Sequence, residues 1–223
     1  MGQPGARSAE PAPRHGRRPA RSAGRRALAG RDHRREPVWF RPWVDIEREA
    51  VALRTFELAW VPGLLQTEAY ARATLIGQQF TPDEVAGLVA ARLDRQAILT
   101  RERGPLFVAV LDEQVLRRAA AGDRALMAAQ LAHLVSCAAL PNVQLHVVPG
   151  DTPTYPGLDG PFVLAELRDG TRVAHVDSQA RAQIIEQPSE IATLERRWER
   201  IRGEALPRAR SLDLLKEAAA AWT

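Results

Sequence analysis

Three short apolar runs, VQLHVV (143–148), FVLAEL (162–167) and RVAHVD (172–177), follow one another with only turn-forming segments rich in Pro, Gly, Asp and Thr between them. Val-rich runs of this length, bounded in this way, are read as strands. The run LFVAVLD (106–112), just after Gly104-Pro105, reads as a buried strand. Thr55–Val61 reads as another, ended by Pro62-Gly63. Any fold for this chain has to pair these strands and cover them.

The covering elements are helical. In TPDEVAGLVAARLDRQAILTRE, Thr81 caps, Pro82 suits the first turn and Glu84 completes a capping box. Val85, Val89, Leu93 and Ala97 then recur every four residues, with Leu88 alongside. A further helix opens at Asp123, with Met127, Leu131, Leu134 and Ala138 on one face, and closes at Pro141-Asn142. The aromatic VWFRPW leads into the helix-like VDIEREAVALR, and a short helix is expected from Leu64 or Thr67 to Ile76, stopped by Gly77. Two helices end the chain, one carrying Ile191, Leu194, Trp198 and Ile201, the other spanning 211–222. This order predicts an α+β fold: a mixed sheet of four to five strands covered by helices, in one domain over 38–223.

The charge lies elsewhere. Residues 1–36 hold ten arginines against Glu10, Asp32 and Glu36, a net +7, so the rest of this +4 chain carries −3. The leader contains Leu28 but no Val, Ile or Phe, so burial cannot offset the entropy of ordering it; residues 1–37 are read as a disordered basic segment. Three readings of it stay open: a solvated tail, which includes a stretch translated from a misplaced start; weak non-specific contact with nucleic-acid phosphates; or targeting, which normally needs an amphipathic apolar face that is missing here. One cysteine, Cys137, excludes an internal disulfide and fits a reducing, cytoplasmic compartment. No apolar run approaches the ~20 residues that span a bilayer, so no membrane partner is expected.

The sequence has no nucleophile elbow, phosphate-binding glycine loop, H-E-x-x-H or C-x-x-C, so no cofactor and no metal is expected. His133 and Cys137, four apart, read as part of a packed core helix. His146 and His175 sit on separate strands; in one sheet they and Asp177 could line a single cleft as an acid–base set, against which stands a pair of unrelated histidines. The loop DTPTYPGLDGPF offers Tyr155, Asp159 and Phe162 as binding groups or is a plain connection. At the Pro62-Gly63 turn, Thr67 is a helix cap, while Trp60, Gln66 and Tyr70 could border an apolar pocket.

Several longer motifs carry a resemblance: VDIEREAVALRTFELAWVPGLLQTEAYARA, RLDRQAILTR, FVAVLDEQVLRR, LPNVQLHVVP, YPGLDGPFVLAEL and EALPRARSLDLL. Over roughly 39–217 the chain resembles the uncharacterised domain that follows the helix-turn-helix in WhiJ-type (XRE-family) actinobacterial transcriptional regulators. The resemblance implies a sensing or partner-binding half of a transcription factor, and as partner a small companion protein or small-molecule effector, with homodimerisation as a further possibility. The 36-residue leader lacks the length and apolar content for a helix-turn-helix, so the expected function is a ligand- or protein-binding regulatory module without its own DNA reader. Relatives tend to carry Tyr and Glu where this chain has His175 and Asp177. That difference motivates the alternative, a cofactor-independent enzyme of cyclase or dehydratase type in natural-product biosynthesis that reuses the pocket.

Overall fold

The first strand begins where a helix was expected to continue. Arg41–Glu49 forms α1, but Ala50–Glu57 is β1, so VALR belongs to the sheet rather than to the helix. Leu53 and Thr55 alternate with residues of the other face, and pairing with two neighbouring strands overrides the helical propensity of the preceding turn. The computed structural model describes residues 40–177 and 182–223, together with Gly2; apart from Gly2, these belong to one compact unit. The expected disordered leader, 1–37, therefore lies outside the described residues.

After β1 come α2 (Glu68–Ala73), α3 (Pro82–Thr100), β2 (Leu106–Asp112), the single turn α4 (Gln114–Arg117) and α5 (Arg124–Cys137). Then follow β3 (Val143–Val148), β4 (Phe162–Leu167), β5 (Arg172–Val176), β6 (Gln183–Ile185), α6 (Pro188–Glu204) and α7 (Arg208–Trp222). The fold is α+β with a mixed six-stranded sheet of order β3-β2-β1-β4-β5-β6. β1, β2 and β3 are mutually parallel; β4, β5 and β6 add on antiparallel. The three-residue β6 was not anticipated. The Thr81 capping box of α3 and the Asp123 cap of α5 form as the sequence predicts.

The sheet separates two cores. One face carries Leu53, Ala109, Leu111, Leu145, Val147 and Val173 beneath α1, α3, α5 and α7, with Trp43, Met127, Leu131 and Leu134 fully buried. The other carries Phe56, Val108, Val110, Leu164 and Ala174 against Trp198 and Ile201 of α6. The open edge of β3 is closed by the segment linking α6 to α7. Leu206 N donates to Val147 O, and Ser211 Oγ accepts from Val147 N at 3.0 Å. These two bonds occupy the outward backbone groups of Val147, which would otherwise be open to pairing with another chain.

Gly157 sits where the 156–159 turn presses on β1. A Cβ there would lie 2.3 Å from Tyr155 Cε2 and 2.5 Å from Phe56 Cζ, both parts of packed rings. Gly157→Ala is expected to lower stability by about 1–3 kcal/mol, the usual result of overpacking, read as a drop in the chemical-denaturation midpoint with unchanged slope. Among the described residues no helix is long and apolar enough to cross a membrane.

Candidate functional site

The turn after β1 is satisfied almost wholly from within. Val61 N donates to Tyr70 Oη at 3.2 Å, and Gln66 Nε2 donates to Val61 O at 2.6 Å. Arg92 of α3 donates to Gln66 Oε1, and Gln96 donates to the carbonyls of Gly63 and Gln66. From α5, Gln130 Oε1 accepts from Thr67 N at 2.7 Å, while its Nε2 donates to Leu65 O at 2.8 Å. Thr67 also caps α2, as expected. Gln66 and Tyr70 are buried, holding this turn in place, and Trp60 is 44% exposed.

The other three residues singled out for ligand binding lie beyond the sheet. Tyr155 donates to Asp112 Oδ2 at 2.6 Å, and Phe162 packs edge-on against Trp198. Asp159 pairs with Arg197 of α6 at 2.7 Å. Tyr155 and Phe162 belong to the α6 core and Tyr70 to the opposite one, so the sheet intervenes and one pocket bordered by both groups does not form. The reason is register: β4 enters antiparallel beside β1 with Phe162 opposite Phe56, which turns the preceding loop to the α6 side.

Register also parts the histidines. His146 pairs with Val110 on the α6 face, and its Nδ1 donates to Leu206 O at 3.0 Å. His175 shares the opposite face with Val173, and β2, β1 and β4 lie between the two strands. The three-membered acid–base set is thus not assembled; His175 and Asp177 remain as a pair. His133 Nε2 and Cys137 Sγ approach to 3.4 Å on α5, and among the described residues no group of three metal-ligating side chains is present.

One corner of the sheet holds a buried polar atom without a hydrogen-bond partner among the described residues, Nε2 of His175. His175 is 4% exposed, stacked at 4.9 Å on Trp43 with Phe40 edge-on at 5.5 Å. Its buried Nε2 has no hydrogen-bond partner; the Asp177 carboxylate lies at 3.7 Å, beyond bonding distance. Burial holds the imidazole below its ordinary pKa, opposed by Asp177, so it is neutral at pH 7. Across β4, at the carboxyl end of β1, stands Glu57, which sequence reasoning passed over. It shares a face with Thr55, which is buried, as the register of β1 with β4 requires. Burial, assisted by the negative charge of Asp177, raises Glu57 from 4.5 to about 8. The charge of Glu57 also reaches Tyr70, whose phenol is raised chiefly by burial. The carboxyl ends of parallel strands are where open α/β sheets generally bind ligands.

A folded pKa above the unfolded one means that the native state binds the extra proton between about 4.5 and 8. Stability from Glu57 is therefore complete below 4.5 and lost as pH rises towards 8. The Glu57→Gln protein should melt increasingly above wild type from pH 5 to 8, with the difference constant above about pH 9, in thermal scans across that range. An unchanged difference would mean that Glu57 titrates normally.

A separate surface groove of about 400 Å³ runs along α7, lined by Leu206, Arg210, Asp213, Leu214, Lys216 and Glu217. Its charges are of both signs, and none of the residues singled out above lines it. No curated protein and no solved structure matches the chain. The model of the domain of unknown function DUF5753 matches residues 40–217, which takes in every strand and all but the end of the last helix. The chain therefore belongs to the DUF5753 family.

Proposed function

We propose that this protein is a regulatory binding module that takes a small molecule at the Glu57–His175–Asp177 corner, in the manner of the sensor halves of WhiJ-type regulators. The observation that carries the reading is the buried, unpartnered Nε2 of His175 beside an exposed carboxylate. Buried polar atoms are nearly always bonded, and exceptions gather where a partner arrives later. Trp43 and Phe40 hold the ring in one orientation, which is the preorganisation a ligand site needs. Native mass spectrometry of the full chain purified from its own host tests this. A retained small molecule that is lost from a folded Asp177→Asn variant supports it; retention unaffected by that change, or a mass equal to the bare chain in every preparation, argues against it.

A second reading has its own support. A neutral imidazole and a protonated carboxyl facing one corner are, at pH 7, in the protonation states that a base and an acid need. A cofactor-independent enzyme of cyclase or dehydratase type would use Glu57 as the acid and His175 as the base. It differs from the first reading in one outcome: the retained compound would be turned over by wild type and bound unchanged by Glu57→Gln.

A further inference from the structure

We propose that this corner recognises a primary ammonium group, with the carboxylates of Glu57 and Asp177 and the Nε2 lone pair of His175 as its three acceptors. The inference rests on the binding reading above and supplies the chemistry of the ligand.

The placement follows from register. Thr55, Val163 and His175 form one row across β1, β4 and β5. Glu57 and Asp177 each lie two residues further along, on the same face, where the row crosses the β4 side at Pro161. Two strand spacings put their backbones roughly 9–10 Å apart. In the proposed complex one nitrogen sits between the two carboxylates, at the charge-assisted hydrogen-bond distance of roughly 2.8 Å from each. An ammonium has three N–H donors and no acceptor, matching two carboxylates and one imidazole lone pair.

Among the described residues, the surrounding charges leave the acceptors available. From α1, Glu47 is engaged in a two-point pair with Arg95 of α3. From β5, Asp177 is 64% exposed at its side chain. On the α2 side stands Tyr70, where the field of Arg118 is also felt, and Arg118 itself is exposed. The charged group that acts on Glu57 is Asp177, of its own sign. Two carboxyl groups that repel each other and a ring nitrogen without a partner would all be relieved by one cation.

Binding would be proton-linked. At neutral pH Glu57 carries a proton; accepting an ammonium, it releases that proton to solvent, and no other bond forms or breaks. Affinity then rises with pH, by up to about tenfold per unit, until Glu57 is ionised near pH 8, while an alkylamine stays charged to about pH 10.

The test uses thermal stabilisation of the full chain by millimolar n-butylamine and 1,4-diaminobutane at pH 6 and pH 8. Tetramethylammonium, a cation without N–H, and n-butanol, a neutral chain, serve as comparators. Expected are stabilisation by both amines at pH 8, an apparent affinity up to about a hundredfold weaker at pH 6, and no response to either comparator. Glu57→Gln and Asp177→Asn proteins that melt cooperatively should each lose the response. An equal effect of tetramethylammonium, a response that survives both substitutions, or no response to either amine at pH 8 overturns the proposal. A host-derived ligand that lacks an amine, yet is lost from Asp177→Asn, removes the ammonium assignment and leaves the binding module standing. Absence of both signals removes both.

Discussion

Glu47→Ala is expected to destabilise the protein by about 3–5 kcal/mol, the range for breaking a buried ion pair from one side. Glu47 and Arg95 form two parallel bonds, Arg95 Nε to Oε2 at 2.8 Å and Nη2 to Oε1 at 2.9 Å. Their side chains are only 5% and 11% exposed. Removal of the carboxylate takes its two-point partner from a guanidinium that cannot shed its proton at the α1–α3 contact. Arg95 also lies over the Phe40 ring at 4.6 Å, so it stays in place rather than swinging out to water. Melting should fall by roughly 2–4 °C per kcal/mol in a domain of this size.

The comparison that isolates the cause is the double replacement Glu47→Leu, Arg95→Met. Filling the same space with apolar groups removes both desolvation penalties, so the double variant should regain most of the stability and approach wild type. If it is as unstable as Glu47→Ala alone, packing of the side-chain stems, and not the ion pair, holds α1 to α3. The pair also acts on the corner beside it, since both charges bear on His175. In the double variant the fields of Glu47 and Arg95, which act on the imidazole in opposite directions, vanish together.

The parts of this fold that could be read in advance are those set by local chemistry. Thr81 and Glu84 need only each other to start α3, and Asp123 needs only the N–H of Leu126 to start α5. The apolar runs at 106–112, 143–148, 162–167 and 172–177 are strands whatever they pair with. What stayed hidden depends on partners distant in sequence. The start of β1 at Ala50 is decided by β2 and β4, whose pairing draws VALR out of the helix. Alternation correctly opposes His146 to Leu145 and Val147, yet nothing local says which face of the sheet that becomes, or that three strands separate it from His175. Glu57 was passed over for a similar reason. It follows Phe56 in a strand, and the register places Thr55 and Glu57 on the face where α1 and α2 lie. A signal was available in the alternation itself: Leu53, Thr55 and Glu57 share a parity, and Leu53 is core. The family's uncharacterised status means that the resemblance carries no site residues to check against this geometry.

Gln130 is the second position where one change should be severe. Its side chain is fully buried on α5, amid Met127, Leu131 and Leu134. A glutamine in such a place persists because each end is bonded to backbone that has no other recourse: Leu65 O at 2.8 Å and Thr67 N at 2.7 Å. Thr67 Oγ1 makes a third contact at 3.2 Å. Leucine at 130 keeps the volume and removes these bonds, leaving a carbonyl and an N–H unpaired inside the protein. At about 1–3 kcal/mol for each of the two orphaned groups, Gln130→Leu should destabilise by about 2–6 kcal/mol. Glutamate is the sharper probe. Its carboxylate can still accept from Thr67 but faces Leu65 O with a second oxygen, so it must take up a proton or repel the carbonyl. Gln130→Glu should therefore be weakest at pH 8 and recover towards wild type as the pH falls to 5, whereas the deficit of Gln130→Leu relative to wild type should not change with pH. Equal deficits for the two variants at both pH values, measured by chemical denaturation, would show that the turn after β1 holds without its clamp on α5.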